Sequence, residues 1–535
     1  MNIKSSPVKF ILSILLSILA FYINYYYANK GLYPIDTFSF FDSAYYITEG
    51  QHPIKDFWVI SGIFVDYLQA LFFYIFGFNW NSYVFHASFF NIIVSLFFFY
   101  FLNQFNKNIL YNLFLSICVA ILCYPIIGTP FPYQHSLILS IVSILVFYLA
   151  VFKDEKKYWF ALPLIMVFSF LSMQLPSGLI NLLIIIFSII FLILKKNKNL
   201  IFFLVGSLVS IFFLFSYFTI TKVSINDFIT QIILFPLDVG LSRITSDQEA
   251  FESAKIINKL TFRGTFGHFK FIFFFIFANI TLILLHIKKK GKKLFIEKKI
   301  LLNLFILLCT LCFLFHQLIT ANQTFIFCLI PILGGLFFLQ IDEFVDLKLR
   351  NKIKLFVIIL VAFSTVKYHL VYNEKRKFVD LQNVDISRAV NADLLSSKFN
   401  NLKWITPNNH NADPLKELNL IDESIKIIKS DKREKMLITH YQFFSLILNE
   451  NLNIPNRWYY TNNTFPTSSK NIYYDKYIEK FYNKVNQKNI EVIYLAKSNP
   501  AEFRAINFSD LLKNNCFTKK KYNEILYSIK INNCN

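Results

Sequence analysis

What most constrains this chain is a succession of long apolar runs joined by short lysine-rich loops. Residues 11–20, 179–194 and 271–285 contain no charged side chain. A helix of about 20 apolar residues spans a bilayer core, and these runs, with their flanks, approach that length. The composition agrees, with 55% hydrophobic and 16% charged residues. No water-soluble domain buries so large an apolar fraction, whereas lipid accepts it directly. The chain is therefore expected to be a polytopic α-helical membrane protein.

The net charge of +21 would suit a nucleic-acid binder, but its distribution argues against one. The basic residues gather at 153–157, 195–198, 288–293 and 348–354, all between apolar runs. That is the positive-inside pattern of cytoplasmic loops, and the anionic partner it implies is lipid headgroup. Nucleic acid is excluded as the partner. Charge parity then assigns about eleven spanning helices, near 9–28, 82–103, 109–126, 135–152, 157–173, 177–194, 200–220, 268–287, 299–317, 323–341 and 354–372. The stretch 60–78 is apolar enough to be another, but counting it would turn every later lysine loop outward. It is read as a juxtamembrane helix on the outer leaflet, where Asp66, Tyr67 and Gln69 stay wet. Lys4 and Lys9 precede the first apolar run with no small-residue cleavage site behind it, so that run is expected to remain as an uncleaved helix. The expected location is the inner (cytoplasmic) membrane.

Near residue 373 the character changes. Residues 1–372 form the transmembrane unit, with its first outer loop at 29–81. Residues 373–535, rich in Asn, Lys, Asp and Glu, are expected to fold as an extracytoplasmic α/β domain. Residues 403–406, 436–439 and 491–495 have the pattern of short buried strands, and 418–428 and 474–485 that of helices. Five of the seven cysteines lie in apolar segments. Cys516 and Cys534 are the pair left in the outer domain, and a disulfide between them would staple the C-terminus in an oxidising compartment. No phosphate-binding glycine loop, HExxH or Gly-x-Ser-x-Gly occurs, so nothing supports ATP-driven transport by this chain alone.

The first outer loop gathers Asp36, Asp42 and Asp56 beside the membrane, where a carboxylate needs hydration, a partner or a function. It continues through Gly50, Pro53 and Lys55-Asp56-Phe57-Trp58 to an apolar helix ending Phe76-Gly77. This arrangement resembles the first periplasmic loop of GT-C fold glycosyltransferases, among them protein O-mannosyltransferases and the aminoarabinose transferases of lipid A. The resemblance extends over roughly residues 5–345 and is most specific at 34–77. It implies an enzyme that takes a sugar from a polyprenyl-phosphate carrier to an envelope glycan, lipid or protein acceptor, inverting the anomeric centre. The family's catalytic acid sits early in this loop, often as Asp-Glu. Asp36 matches it, although Thr37 follows, and Asp42 is the alternative. A base must take the acceptor's proton, and a carboxylate at a water–lipid boundary has a pKa raised toward that task. Otherwise Asp36 caps a helix beginning near Phe38. Asp56 is a candidate for binding acceptor or metal, or for pairing with Lys55 and capping the following helix.

The resemblance extends to further substrate-binding candidates. The second outer loop offers Tyr133, Gln134 and His135 where the family commonly has another acid. That absence leaves a divalent metal without its second ligand, and no cofactor or metal residue is assigned. Gln174 lies in a proline-containing turn. In the loop 221–268, Arg243 and Arg263 suit the leaving phosphate, because a guanidinium binds oxygen pairs in a fixed fork. His316, Asn322 and Gln323 belong to a polar turn suited to sugar. A polysaccharide polymerase or ligase, or a lipid-linked glycan flippase, is the alternative function. The flippase would favour ionisable groups inside the helices, which are nearly bare of them.

Overall fold

The computed structural model describes residues 7–106, 108–195, 198–245, 261–290, 297–320, 325–344, 347–407, 413–460, 464–497, 506–513 and 516–532. Among these residues, eight helices are long and apolar enough to cross a membrane: Pro7–Ala28, Trp80–Asn103, Pro132–Lys153, Ser177–Leu194, Lys198–Thr221, Ile225–Ile244, Lys298–Ile319 and Leu349–Val379. Seven coincide with expected spans. The eighth falls in the expected loop 221–268. The other expected spans also form helices, but Ile109–Leu122 has 14 residues and Lys156–Ser172 has 17. The first of these stops just before Pro125, which has no N–H to continue it. Helix Lys270–Lys290 and the pair Phe325–Cys328 and Leu329–Phe344 complete the set.

Lipid contact and bundle packing are readable from exposure. On helix Ile201–Thr221, Leu204, Leu208 and Phe215 are each more than 60% exposed, a surface suited to lipid and costly in water. Helix Pro132–Lys153 is the opposite, buried along nearly its whole length. Polar side chains bind the bundle internally, where water cannot compete. Asn91 Nδ2 donates to Ala20 O (2.8 Å) and Ala120 O (3.0 Å), tying three helices together. Asn24 Nδ2 reaches Ser88 Oγ (2.9 Å) and Gly128 O (3.1 Å).

The C-terminal unit has a four-stranded sheet. With β1 (Val390–Asn391) and β2 (Lys403–Trp404) forming a separate antiparallel pair, the main strands are β3 (Lys435–Thr439), β4 (Val492–Ala496), β5 (Phe517–Lys521) and β6 (Leu526–Ile531). Their order is β3-β4-β6-β5, and β3 and β4 run parallel. Helices Pro414–Ser430 and Tyr474–Gln487 fall where the apolar spacing predicted them. Residues 403–406, expected as a core strand, instead supply only the two-residue β2, because this segment pairs with the first loop. Gly31 N–H donates to Lys403 O and Leu32 N–H to Ile405 O, each at 3.0 Å. Gly31 adopts φ +68°, and a Cβ there would lie 2.2 Å from Leu381 Cδ1. Cys516 is disulfide-bonded; Cys534 lies outside the described residues.

The first loop folds into helices α2 (Pro34–Thr37), α3 (Phe41–Thr48) and α4 (Phe64–Phe76). The last corresponds to the expected juxtamembrane helix, but Asp66 and Gln69 do not stay wet on it. Both are fully buried, Asp66 against Arg457 of the C-terminal unit and Gln69 against His86 of the bundle. Arg457 donates to Asp66 Oδ2 at 2.5 Å and to Gly62 O at 3.2 Å, and also bonds Ser61. Ser43 Oγ donates to Asp66 Oδ1 at 2.6 Å, and the Phe40 ring lies 4.7 Å from the guanidinium carbon. Removing one member of a buried ion pair costs about 3–5 kcal/mol, because the other charge stays buried alone. Arg457→Leu is therefore expected to free the C-terminal unit for cleavage by added protease in conditions where the parent chain resists, as followed by gel electrophoresis.

Candidate functional site

The residues singled out from sequence divide into those that packing uses and those left facing one another. Asp42 belongs to the first group. It is fully buried, and its carboxylate accepts the N–H groups of Ser445 (3.2 Å) and Leu446 (3.0 Å), serving as a cap for helix Phe444–Leu448 from across the chain. Burial pushes its carboxyl up to about 7, against the lowering effect of those N–H bonds and of Lys398. Gln134 and His135, expected to contact substrate, are also fully buried and engaged by the bundle, with Gln134 Oε1 left without a partner. Gln134 Nε2 donates to Cys123 O at 2.7 Å. His135 Nε2 meets His86 Nε2 at 2.9 Å, and its Nδ1 meets Tyr124 Oη at 2.9 Å. Gln174 Nε2 holds Ile60 O at 3.1 Å.

Asp56 closes a turn by accepting the His52 N–H at 2.7 Å. It caps no helix, since the next one begins at Phe64. Neither does Asp36 cap α3, whose N-cap residue is Phe40 without a side-chain bond. Asp36 lies half-buried inside α2. Arg263 is exposed on a π-helical turn, Phe262–Gly267. Asn322 and Gln323 lie outside the described residues. Among the described residues, no three His, Cys, Asp or Glu side chains form a group that could hold a metal ion.

The second group meets at the end of the bundle covered by the C-terminal unit. The His316 ring stacks on Tyr133 at 4.7 Å and 9°, and Gln317 Nε2 donates to Tyr133 Oη at 2.8 Å. His316 is 3% exposed and Gln317 fully buried, yet His316 Nδ1 and Gln317 Oε1 have no partner. An unsatisfied buried polar atom costs about 1–3 kcal/mol, so the pair has capacity for a polar group, water or ligand alike. Arg243, on helix Phe235–Thr245, is close enough for its charge to act on His316 and to feel Tyr460. Trp458 stands 6.0 Å from Phe131, and its indole N–H is likewise unpartnered.

An aromatic and aliphatic wall runs from this cluster to Tyr33. Phe378 touches Phe131 (5.4 Å) and Phe325 (4.9 Å), and Phe325 touches Tyr133 (4.8 Å). Phe378 also packs on Val379, Leu381 and Ile405, against which Tyr33 rests, three residues before Asp36. The site thus combines a guanidinium, an imidazole and an amide with aromatic faces, the set that holds a phosphate and sugar hydroxyls. Tyr133 and Gln317 were visible in sequence only as members of polar turns. Trp458 gave no signal, since folding alone brings it from a distant segment.

The raised Asp42 carboxyl makes docking of the first loop depend on pH. The folded state holds that proton more tightly than the unfolded chain, so the contribution is full below about pH 4 and lost as pH rises through 7. The swing is on the order of a few kcal/mol. Asp42→Asn, which cannot ionise, is expected to flatten the rise in thermal midpoint seen on acidification from pH 8 to 5, measured in detergent or nanodiscs. The chain as a whole matches no protein-family model and no curated protein sequence.

Proposed function

We propose that this chain is a membrane glycosyltransferase of the GT-C kind. It would take a sugar from a polyprenyl-phosphate carrier in the outer leaflet of the cytoplasmic membrane and pass it to an envelope glycan, lipid or protein, with inversion. The observation that carries this reading is that buried His316 and Gln317 each keep one polar atom without a partner, within reach of the Arg243 charge. A lipid-borne sugar phosphate suits this set: the guanidinium takes phosphate oxygens, while imidazole and amide take hydroxyls.

In this scheme Arg243 binds and stabilises the leaving phosphate, and Asp36 accepts the proton of the acceptor hydroxyl. The oxygen then attacks the anomeric carbon as its bond to phosphate breaks on the opposite face. Positioning and charge stabilisation supply most of the acceleration. Arg263, exposed on its turn, is left to lipid headgroups. Asp42, its carboxylate occupied by backbone donors, serves as a structural anchor.

The test is release of polyprenyl phosphate by the purified protein in nanodiscs, offered a panel of polyprenyl-phosphate sugars and mixed envelope acceptors. Asp36→Asn is expected to lower kcat by about 100- to 10,000-fold, the usual share of general base catalysis, with the fold intact. Arg243→Gln is expected to lower kcat/KM for the donor. Equal turnover in parent and Asp36→Asn would overturn the assignment of the base. Absence of release from every donor would favour a flippase or a polysaccharide ligase.

A further inference from the structure

Helix Tyr474–Gln487 and the residue just past it carry lysines at 476, 480, 484 and 488, one every four residues. That spacing puts four like charges on one helix face, which is unfavourable unless something compensates. The stripe does not face open water. It lines a half-open cavity of about 340 Å³ with Gln51, Lys55 and Asp56 of the first loop and Asp227 of helix Ile225–Phe228. That volume is at the lower end of the range of small-molecule sites, roughly 300–1,000 Å³.

The protein's own anions do not neutralise the cavity. Five lysines share it with Asp56, Asp227 and Glu479. Asp227 is engaged by Lys476 at 3.0 Å, and Asp56 accepts the His52 N–H. Among the described residues, Lys55, Lys480, Lys484 and Lys488 form no ion pair. Lys484 Nζ instead donates to Asp56 O and Ile454 O, each at 2.6 Å, and Lys480 Nζ donates to Ile54 O. Each ammonium has three donors, so both keep hydrogen-bonding capacity for a guest. The carbonyls also fix where those ammoniums stand. Ile54 is held at φ +75°, an outlier for a β-branched residue, with its carbonyl also accepting Gln231 Nε2 at 3.0 Å. The lysine face and the loop are thus locked together around an electropositive space.

We infer that this cavity is a binding site for an anionic phosphate group, gripped by Lys480 and Lys484 and rimmed by Lys55 and Lys488. Lysine binds phosphate as a point charge and tolerates varied geometry, so a mono- or diester is accepted whether it is lipid-borne or soluble. Burial lowers Lys480 to about 8 and Lys484 to about 7. Asp56 and Asp227 raise these ammoniums, whereas Lys476 and Lys488 on the same helix lower them, and Lys55 and Glu479 complete the charged lining. A bound anion favours the protonated lysines, so binding takes up protons and weakens as pH rises past 8.

The experiment uses the full chain in phosphatidylcholine nanodiscs, titrated with inorganic phosphate by calorimetry at pH 6.5 and 8.5. A parallel series reads the thermal midpoint in nanodiscs containing phosphatidylglycerol. The expected result is phosphate binding that weakens at least tenfold in Lys480→Gln/Lys484→Gln and at pH 8.5. The exposed rim variant Lys55→Gln/Lys488→Gln, in which the anchoring bonds remain, should weaken it about threefold and stands in if the first variant fails to fold. Stabilisation by phosphatidylglycerol alone, lost in the variants, would support the site and identify a lipid source. Binding unchanged in the variants that fold, or no response to either form of phosphate, would overturn the inference.

Discussion

The Asp66–Arg457 ion pair, with both side chains fully buried, is the contact on which the arrangement of the two units depends. Taking two charges out of water costs several kcal/mol per ion, and attraction offsets that only where further hydrogen bonds complete the shell. Here Ser43, Ser61 and the Gly62 carbonyl supply most of that shell, and Arg457 Nε is left without a partner. The pair also sets register. Arg457 N–H donates to Trp58 O at 3.0 Å and Trp58 N–H to Pro455 O at 2.8 Å, so the segment 455–457 runs beside the first loop as a strand would. Trp458, one residue on, is thereby brought over Phe131 and the polar cluster. A hydrophobic pair could fill the same volume, but it would not specify this register.

Buried polar side chains in the bundle link into chains. Gln69, His86, His135 and Tyr124 make one, with His135 Nδ1 also 3.1 Å from Phe131 O and Gln69 Nε2 left over. With Gln69 Oε1 accepting from His86 Nδ1–H, His86 Nε2 accepts from His135 Nε2–H, and His135 Nδ1 then accepts from Tyr124. His316 and Gln317 are equally buried, held by Tyr133 on one side and with one acceptor-capable atom each left over.

Much of the architecture was legible from local pattern. Apolar runs identified helices, and the polar composition of the C-terminal part agreed with the sheet found there. Short apolar runs found β3 and β4, because both are buried on both faces and rich in branched residues. What pattern could not reveal was anything fixed by distant partners. Asp66 looked like a wet residue on an amphipathic helix because its guanidinium lies 391 positions away. The hairpin β5–β6 was missed because Phe517–Lys521 is mostly lysine, an edge strand with little apolar signal. Helix Ile225–Ile244 was read as loop since its polar residues, Asp227, Gln231 and Asp238, interrupt the run.

Four aspartates within one short loop show how environment divides a single residue type. Asp66 has a guanidinium on one oxygen and a hydroxyl on the other. Asp42 spends its oxygens on two helix N–H groups. Neither reaches solvent, so neither can exchange a proton with an incoming hydroxyl without first breaking the contact that holds the loop. Asp56 keeps part of its surface open, accepts the His52 N–H and lines the lysine-rich cavity. Asp36 is half-buried on a helix of four residues that follows Tyr33. Its intermediate burial, set by how the loop folds, cannot be read from its neighbours in the chain.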